Sequence, residues 1–350
     1  MNKPHAILFG PLPPPYGGVA VFMSSLKDAC IDRGAEVLSY AGDAEDPRVT
    51  RVNHRVLGHI LRLLIRPKEA RITDSTHFHL EYPHWLLLPA WLFLKRIKQF
   101  TWIKICHDGS LPSRFERMSA AAQQRVQRAL ASVDTLVVYS RDLEQWFREE
   151  LSYTREIRFM PLLTPTPKLG SLEGRGEKSA DHQVVTSIGA FIPSYGFHDV
   201  AAAVERLRQS GREVTLILLD GAFARDENSK REVLSGRRWI EVHEGVPHDE
   251  VQAFLAKSDV FVRAFAHESY GLSRIEAIMS GTPVIATNIG ETRGMLTYEF
   301  GDVDALVKHL ESVLYGTDDA EISHWQEVYR REAEQNLDAY LQLITGDANA

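Results

Sequence analysis

Val260-Phe-Val-Arg263, Glu268-Ser-Tyr-Gly-Leu-Ser-Arg-Ile-Glu276 and Ala277-Ile-Met-Ser-Gly-Thr-Pro-Val-Ile-Ala286 follow one another along the chain with only a short connector between the first two. A β-branched run, a Gly-containing turn, a short helical segment that stops at Gly281 and a second apolar run read as one β-α-β unit. That is the building block of a parallel sheet. Within it Glu268 and Glu276 stand eight positions apart. Such a helix start can hold a polyhydroxylated ligand, with carboxylates taking hydroxyls and backbone amides taking phosphate. Ser273-Arg-Ile-Glu276 also matches a capping box, in which the glutamate serves only the helix. Glu268 has no comparable structural duty.

Outward from this unit the alternation continues in both directions. Strands are expected at Val184–Ile188, Val214–Leu219, Ile240–His243, Val260–Arg263 and Val284–Thr287, with Gly211, Gly236 and Gly281 ending helices. Before a linker at about 166–182, rich in Pro, Gly, Ser and charge, a first set is expected. It comprises Ala6–Phe9, Glu36–Tyr40, Thr76–Leu80, Trp102–Cys106, Thr135–Tyr139 and Ile157–Met160. The pattern predicts an α/β protein of two doubly wound, Rossmann-like domains, 1–165 and 183–318, with a last helix over 320–345 packing back on the first.

Bulk properties agree with two domains. At 350 residues the chain exceeds one comfortable core, and 44% hydrophobic with 25% charged residues is ordinary for a globular protein. The two cysteines, Cys30 and Cys106, have no metal-like spacing and point to a reducing compartment. With no apolar run long enough to span a bilayer, the chain reads as cytoplasmic. The net charge of −7 is uneven: 22 Lys and Arg face 17 Asp and Glu up to residue 165, and 18 face 30 beyond it. Residues 48–104 hold 11 basic and 3 acidic side chains. The amphipathic part, His54–Arg71, reads either as a sheet-packing helix or as attachment to an anionic membrane surface at the inner face. No nucleic-acid partner is expected.

Ligands of doubly wound sheets lie at the carboxyl ends of the strands. The candidate loops are therefore Gly10–Gly18, His79–Pro83, His107–Gly109, Gly189–Gly196, Asp220–Arg225, Ala264–Leu272 and Asn288–Arg293. Gly17 and Gly18 can bring a ligand against the backbone at a helix start, or simply make a tight turn. His107, ending an apolar strand, can bond a hydroxyl or serve as a structural histidine. His77 and His79 share a strand face but lack a third metal ligand.

On Tyr16-Gly17-Gly18-Val19-Ala20, His107, Glu244 to Val262 and, above all, the Glu268/Glu276 motif with Gly281-Thr-Pro-Val-Ile-Ala286, the chain resembles the family-four retaining glycosyltransferases of GT-B fold. The resemblance implies that the second domain binds a UDP- or GDP-sugar and the first a hydroxyl acceptor, such as a lipid-linked oligosaccharide. It implies that Glu276 holds the ribose, that Glu268 holds hydroxyls of the transferred sugar, and that amides of Gly17, Gly18 and Tyr270, Gly271, Leu272 face sugar or diphosphate. It also implies hexosyl transfer with retention, without a metal or other cofactor, in cell-surface polysaccharide or glycolipid assembly.

One departure stands out. The family usually carries an arginine directly after the first glycine of the second domain and a lysine six residues after it; here Gly189 is followed by Ala190 and Tyr195. Charge on a departing diphosphate needs preorganised donors. Arg263, where the family more often has an aliphatic residue, is the expected replacement, together with Arg274. Two alternatives follow: a catalytically weak GT-B partner subunit, favoured by the missing pair, or a GT-B sugar-nucleotide epimerase. A nicotinamide dehydrogenase is disfavoured because no Gly-x-Gly-x-x-Gly follows the first strand of either domain.

Overall fold

The computed structural model describes residues 5–13, 18–39, 46–51, 70–74, 100–107, 109–161, 182–268, 270–316 and 320–346. They fall into two compact units. Met1–Pro14, Gly18–Leu163 and Glu334–Ala350 make the first, and Thr164–Ala333 belongs to the second.

The first unit holds a parallel sheet of seven strands: β1 (His5–Gly10), β2 (Glu36–Ser39), β3 (Val49–Arg51), β4 (Ala70–Asp74), β5 (Thr101–Ile105), β6 (Thr135–Val138) and β7 (Glu156–Phe159). Their order is β3-β2-β1-β4-β5-β6-β7, the doubly wound arrangement whose direction reverses between β1 and β4. β6 reads as a strand covered on both faces, with all of Thr135-Leu-Val-Val138 buried. The helices are α1 (Gly18–Asp32), α2 (Leu111–Glu116), α3 (Ala120–Leu130) and α4 (Arg141–Glu149). Ser140 caps α4, its Oγ accepting the Leu143 amide at 3.2 Å, with Asp142 and Glu144 in the positive first turn.

The expected strand at Thr76–Leu80 lies outside the described residues. The strand between β1 and β5 is Ala70–Asp74, whose first two residues close the basic, amphipathic His54–Arg71 segment. Its alternation is hidden because Arg71 is not a solvent-facing charge: its Nε donates to the Leu343 carbonyl at 2.6 Å, while Ile72 and Thr73 are buried. Most of the basic 48–104 stretch also lies outside the described residues. Of its described members, Arg48 pairs with Asp28 and Asp46, and Lys104 is buried in β5. Among the described residues no helix is long and apolar enough to cross a membrane.

The second unit repeats the plan with six parallel strands: β8 (Gln183–Phe191), β9 (Val214–Arg225), β10 (Ile240–Glu244), β11 (Val260–Arg263), β12 (Val284–Thr287) and β13 (Leu296–Tyr298). The order β10-β9-β8-β11-β12-β13 reverses between β8 and β11. Helices α5 (Phe197–Gln209), α6 (Glu227–Leu234), α7 (His248–Lys257), α8 (Leu272–Met279) and α9 (Val303–Tyr315) complete it. Gly211, Gly236 and Gly281 have positive φ, as helix stops should. The Asp220–Arg225 segment, expected as a loop, is instead the end of β9. It pairs with β8 through a register shift at Gly189/Phe191.

The last helix, α10 (Ala320–Thr345), is shared. Its early turns pack within the second unit: Tyr329 donates to the Arg293 carbonyl at 2.9 Å, and Arg293 pairs with Glu332 at 2.8 Å. Its late turns pack within the first, where Tyr340 meets Phe22 edge-on at 5.1 Å.

Candidate functional site

Arg263 is the last residue of β11, beside β8, at the point where the second sheet changes direction. Val260 and Val262 point into the core cluster, so the period of two gives Arg263 the opposite face. Its Nη1 donates to the Ile188 carbonyl at 2.6 Å and its Nε to Glu268 Oε2 at 2.8 Å. The guanidinium lies 5.2 Å from the Tyr195 ring centre and 5.0 Å from that of Phe265, and these two rings stack at 4.3 Å. The tyrosine in the expected lysine position therefore packs directly against the arginine expected to replace that lysine.

Both partners of the ion pair are largely buried, Arg263 at 11% and Glu268 at 9% side-chain exposure. Burial opposes charge on Arg263, but Glu268 and Tyr195 more than offset it and hold the guanidinium above its ordinary pKa. The same burial pushes the Tyr195 phenol up, with Glu268 adding to it against the pull of Arg263. The result is a fixed positive group at a strand end, held by an acid, a carbonyl and two aromatic faces.

Gly189 makes room for this arrangement: a Cβ there would lie 2.6 Å from Tyr195 Cδ1. Beyond it, a single 3₁₀ turn at Pro193–Tyr195 delivers the ring to Arg263. Gly271, at φ 91°, is the N-cap of α8, and a Cβ on it would meet Arg274 Cδ at 2.7 Å. A positive φ with so close a neighbour leaves only glycine comfortable there.

Arg274 is expected beside Arg263 as a charge donor, but its fork is taken elsewhere. It is fully buried, and Nη1 donates to the carbonyls of Ile289 at 2.5 Å and Glu291 at 3.3 Å, while Nη2 donates to Thr287 Oγ1 at 2.9 Å. Thr287 in turn donates to the Phe265 carbonyl at 2.7 Å. Arg274 thus ties the loop after β12 to the loop after β11. Burial lowers its pKa to about 10, Glu268 pulling up and Arg263 down. Tyr270 is buried too, and its carbonyl receives the Glu291 amide at 3.1 Å. Leu272 opens α8.

Glu276 does not form the capping box. The helix begins at Leu272 with no side-chain cap, so Ser273 lies inside it. The carboxylate, on a residue 4% exposed, instead meets His248 Nε2 through Oε1 at 2.6 Å. His248 is the site residue the sequence reading missed. It opens α7 after the Gly245-Val-Pro247 turn, within the segment that carries the family resemblance, and its only signal was a histidine at a helix start. Burial draws the imidazole down, but the hydrogen bond and charge of Glu276, with Asp249, more than offset it and raise its pKa.

In the first unit His107 follows β5. Its Nδ1 is 3.3 Å from the Tyr139 hydroxyl, and its ring packs 5.1 Å from Phe22. Gly18 opens α1; Gly17 and the His77/His79 pair lie outside the described residues. Thus Glu268 and Arg263 come together, Glu276 pairs with His248, and His107 belongs to the other unit.

Residues 173–322 match the model of the family described as "Glycosyl transferases group 1". That match falls within the second unit. The chain is 31% identical over 210 residues to the lipopolysaccharide core biosynthesis glycosyltransferase LpsE of Rhizobium meliloti, covering 56% of this chain and 59% of that one. The chain thus spans little more than half of that relative's length. It is 25% identical to the trehalose synthase of Pyrococcus horikoshii over 88% of this chain and 80% of that one. Among solved structures, the sucrose-phosphate synthase of Thermosynechococcus elongatus superposes with a TM-score of 0.76 at 18% identity, over 98% and 100% of the two chains. The fold is GT-B, as the resemblance to family-four glycosyltransferases implied.

Proposed function

We propose that this protein is a retaining transferase that moves a hexosyl unit from a UDP- or GDP-sugar to a hydroxyl acceptor. The single observation that carries the reading is Arg263, charged, fixed by Glu268 and located at the strand-order reversal of the second unit. A preorganised cation at that place can stabilise a departing diphosphate despite Ala190 and Tyr195. Residues 183–318 bind the donor in this reading, Glu268 holding sugar hydroxyls and Glu276 the ribose. Residues 1–165 bind the acceptor, with His107 toward its hydroxyl. Same-face attack, with a leaving-group phosphate oxygen accepting the acceptor's proton, needs no protein nucleophile. Catalysis is then positioning and charge stabilisation, without a metal or other cofactor. The part of the LpsE relative in lipopolysaccharide core biosynthesis supports a lipid-linked saccharide acceptor.

A second reading, a catalytically weak partner subunit, draws on the same fork: Arg263 is already bonded to Glu268 and Ile188. A thermal-shift screen against UDP- and GDP-sugars, followed by donor hydrolysis, separates the two, because a ligand that binds only the native state raises its stability. A stabilising sugar nucleotide that is turned over supports the transferase. Binding without turnover supports the partner subunit. No shift with any of them refutes both.

A further inference from the structure

We propose that His248 is a positioning residue for the donor: it pins Glu276 so that the carboxylate discriminates a ribonucleoside diphosphate from its 2′-deoxy analogue. The inference rests on the donor reading above and adds a residue that reading does not contain. Glu276 is 4% exposed on α8, and its Oε1 is held by His248 Nε2 at 2.6 Å. Among the described residues none hydrogen-bonds Oε2. One oxygen is fixed by the protein, and the other remains to accept from a vicinal diol. Discrimination against a missing hydroxyl is strongest where the site's polar group is buried and cannot turn to water, which is the position of Glu276.

His248 is suited to this duty. It lies at the first position of α7, where the helix dipole disfavours a cation, so a neutral or charged imidazole at that site is governed by its partner Glu276. Asp249 on the same helix adds to the carboxylate's influence. In both protonation states Nε2 can donate to Oε1, so the anchor persists. Without it, a nearly buried carboxylate would lose its fixed orientation and turn outward, away from two hydroxyls it could accept from.

The test is titration calorimetry of UDP, GDP and their 2′-deoxy forms against the full chain and its H248A, H248Q and E276Q variants, each checked for native folding by circular dichroism. Wild type is expected to prefer one ribonucleotide over its deoxy form. H248A is expected to bind that ribonucleotide roughly tenfold or more weakly, with the preference falling toward unity, matching E276Q. H248Q, which keeps a donor near the same place, should recover most of both. Should H248A keep the wild-type preference, or lose affinity for both forms equally without rescue by H248Q, the positioning role is wrong while the donor reading stands. Should wild type bind no nucleoside diphosphate, the donor reading itself fails, and this inference with it.

Discussion

Arg263 Nε and Glu268 Oε2 meet at 2.8 Å between two side chains that are each about nine-tenths buried. Five residues apart in sequence, they fold one strand end and its following loop into a single electrostatic unit. Breaking such a pair leaves an uncompensated charge and typically costs about 3–5 kcal/mol, whereas replacing both by apolar groups can be nearly neutral. R263A and E268A should therefore each lower the urea midpoint strongly. R263M/E268L should recover much of the stability yet bind no sugar nucleotide. A double variant that turns over donor like wild type would remove Arg263 and Glu268 from the site.

Tyr195 makes a sharper test of how this chain handles the leaving group. Restoring the family's lysine as Y195K sets an ammonium beside a buried guanidinium and breaks the 4.3 Å stack with Phe265. The single variant should thus be less stable and no more active. Combined with R263V, which returns the strand end to the aliphatic residue usual in the family, the lysine regains an unopposed site. Y195K/R263V should exceed R263V alone in donor turnover. Equal turnover in the two would show that cations at these places are not interchangeable.

Arg274 should not tolerate lysine. Its planar fork reaches Ile289, Glu291 and Thr287 at once, which a point-charge ammonium cannot reproduce. R274K is expected to loosen the loops after β11 and β12, raising the donor KM and lowering thermal stability together. Unchanged values for both would mean the bridge is dispensable.

Much of this was legible beforehand, and the gaps have physical causes. The β-α-β unit around Glu268 and Glu276 announced itself by period and glycine stops, whereas the strand order within each sheet comes from the structure. Ala70–Asp74 was concealed because a charged residue, Arg71, bonds a main-chain carbonyl far away in sequence, which no local period reveals. Arg263 could be singled out because a departure from a known pattern demands compensation. The pairing of His248 with Glu276 could not, since 28 positions separate them and only the packing of α7 on α8 joins them. The same packing decided against the capping box, which Ser273 and Glu276 spell correctly in sequence alone.

The cysteines give a check on the first core. Cys30 on α1 is buried, and burial pushes its thiol up to about 12 against a small opposing pull from Arg33. Cys106 is buried after β5. At pH 8 neither should react with a thiol reagent in native protein, and both should react in urea. Rapid native modification of Cys30 would contradict the packing of α1 on the sheet.

The His248–Glu276 pair also fixes a pH dependence whose sign can be stated. The folded imidazole titrates above its ordinary value of 6.5, while the unfolded one does not. A group raised on folding contributes stability that is complete below the unfolded pKa and is lost as pH rises through the folded one. Urea midpoints of wild type and H248Q should therefore differ most near about pH 6, below the reference imidazole pKa, and converge in mildly alkaline buffer. H248Q retains a neutral donor, so the comparison isolates the ionic part of the interaction. A gap that stays constant from acid to alkali, or that widens with rising pH, would mean that His248 carries no proton on account of Glu276.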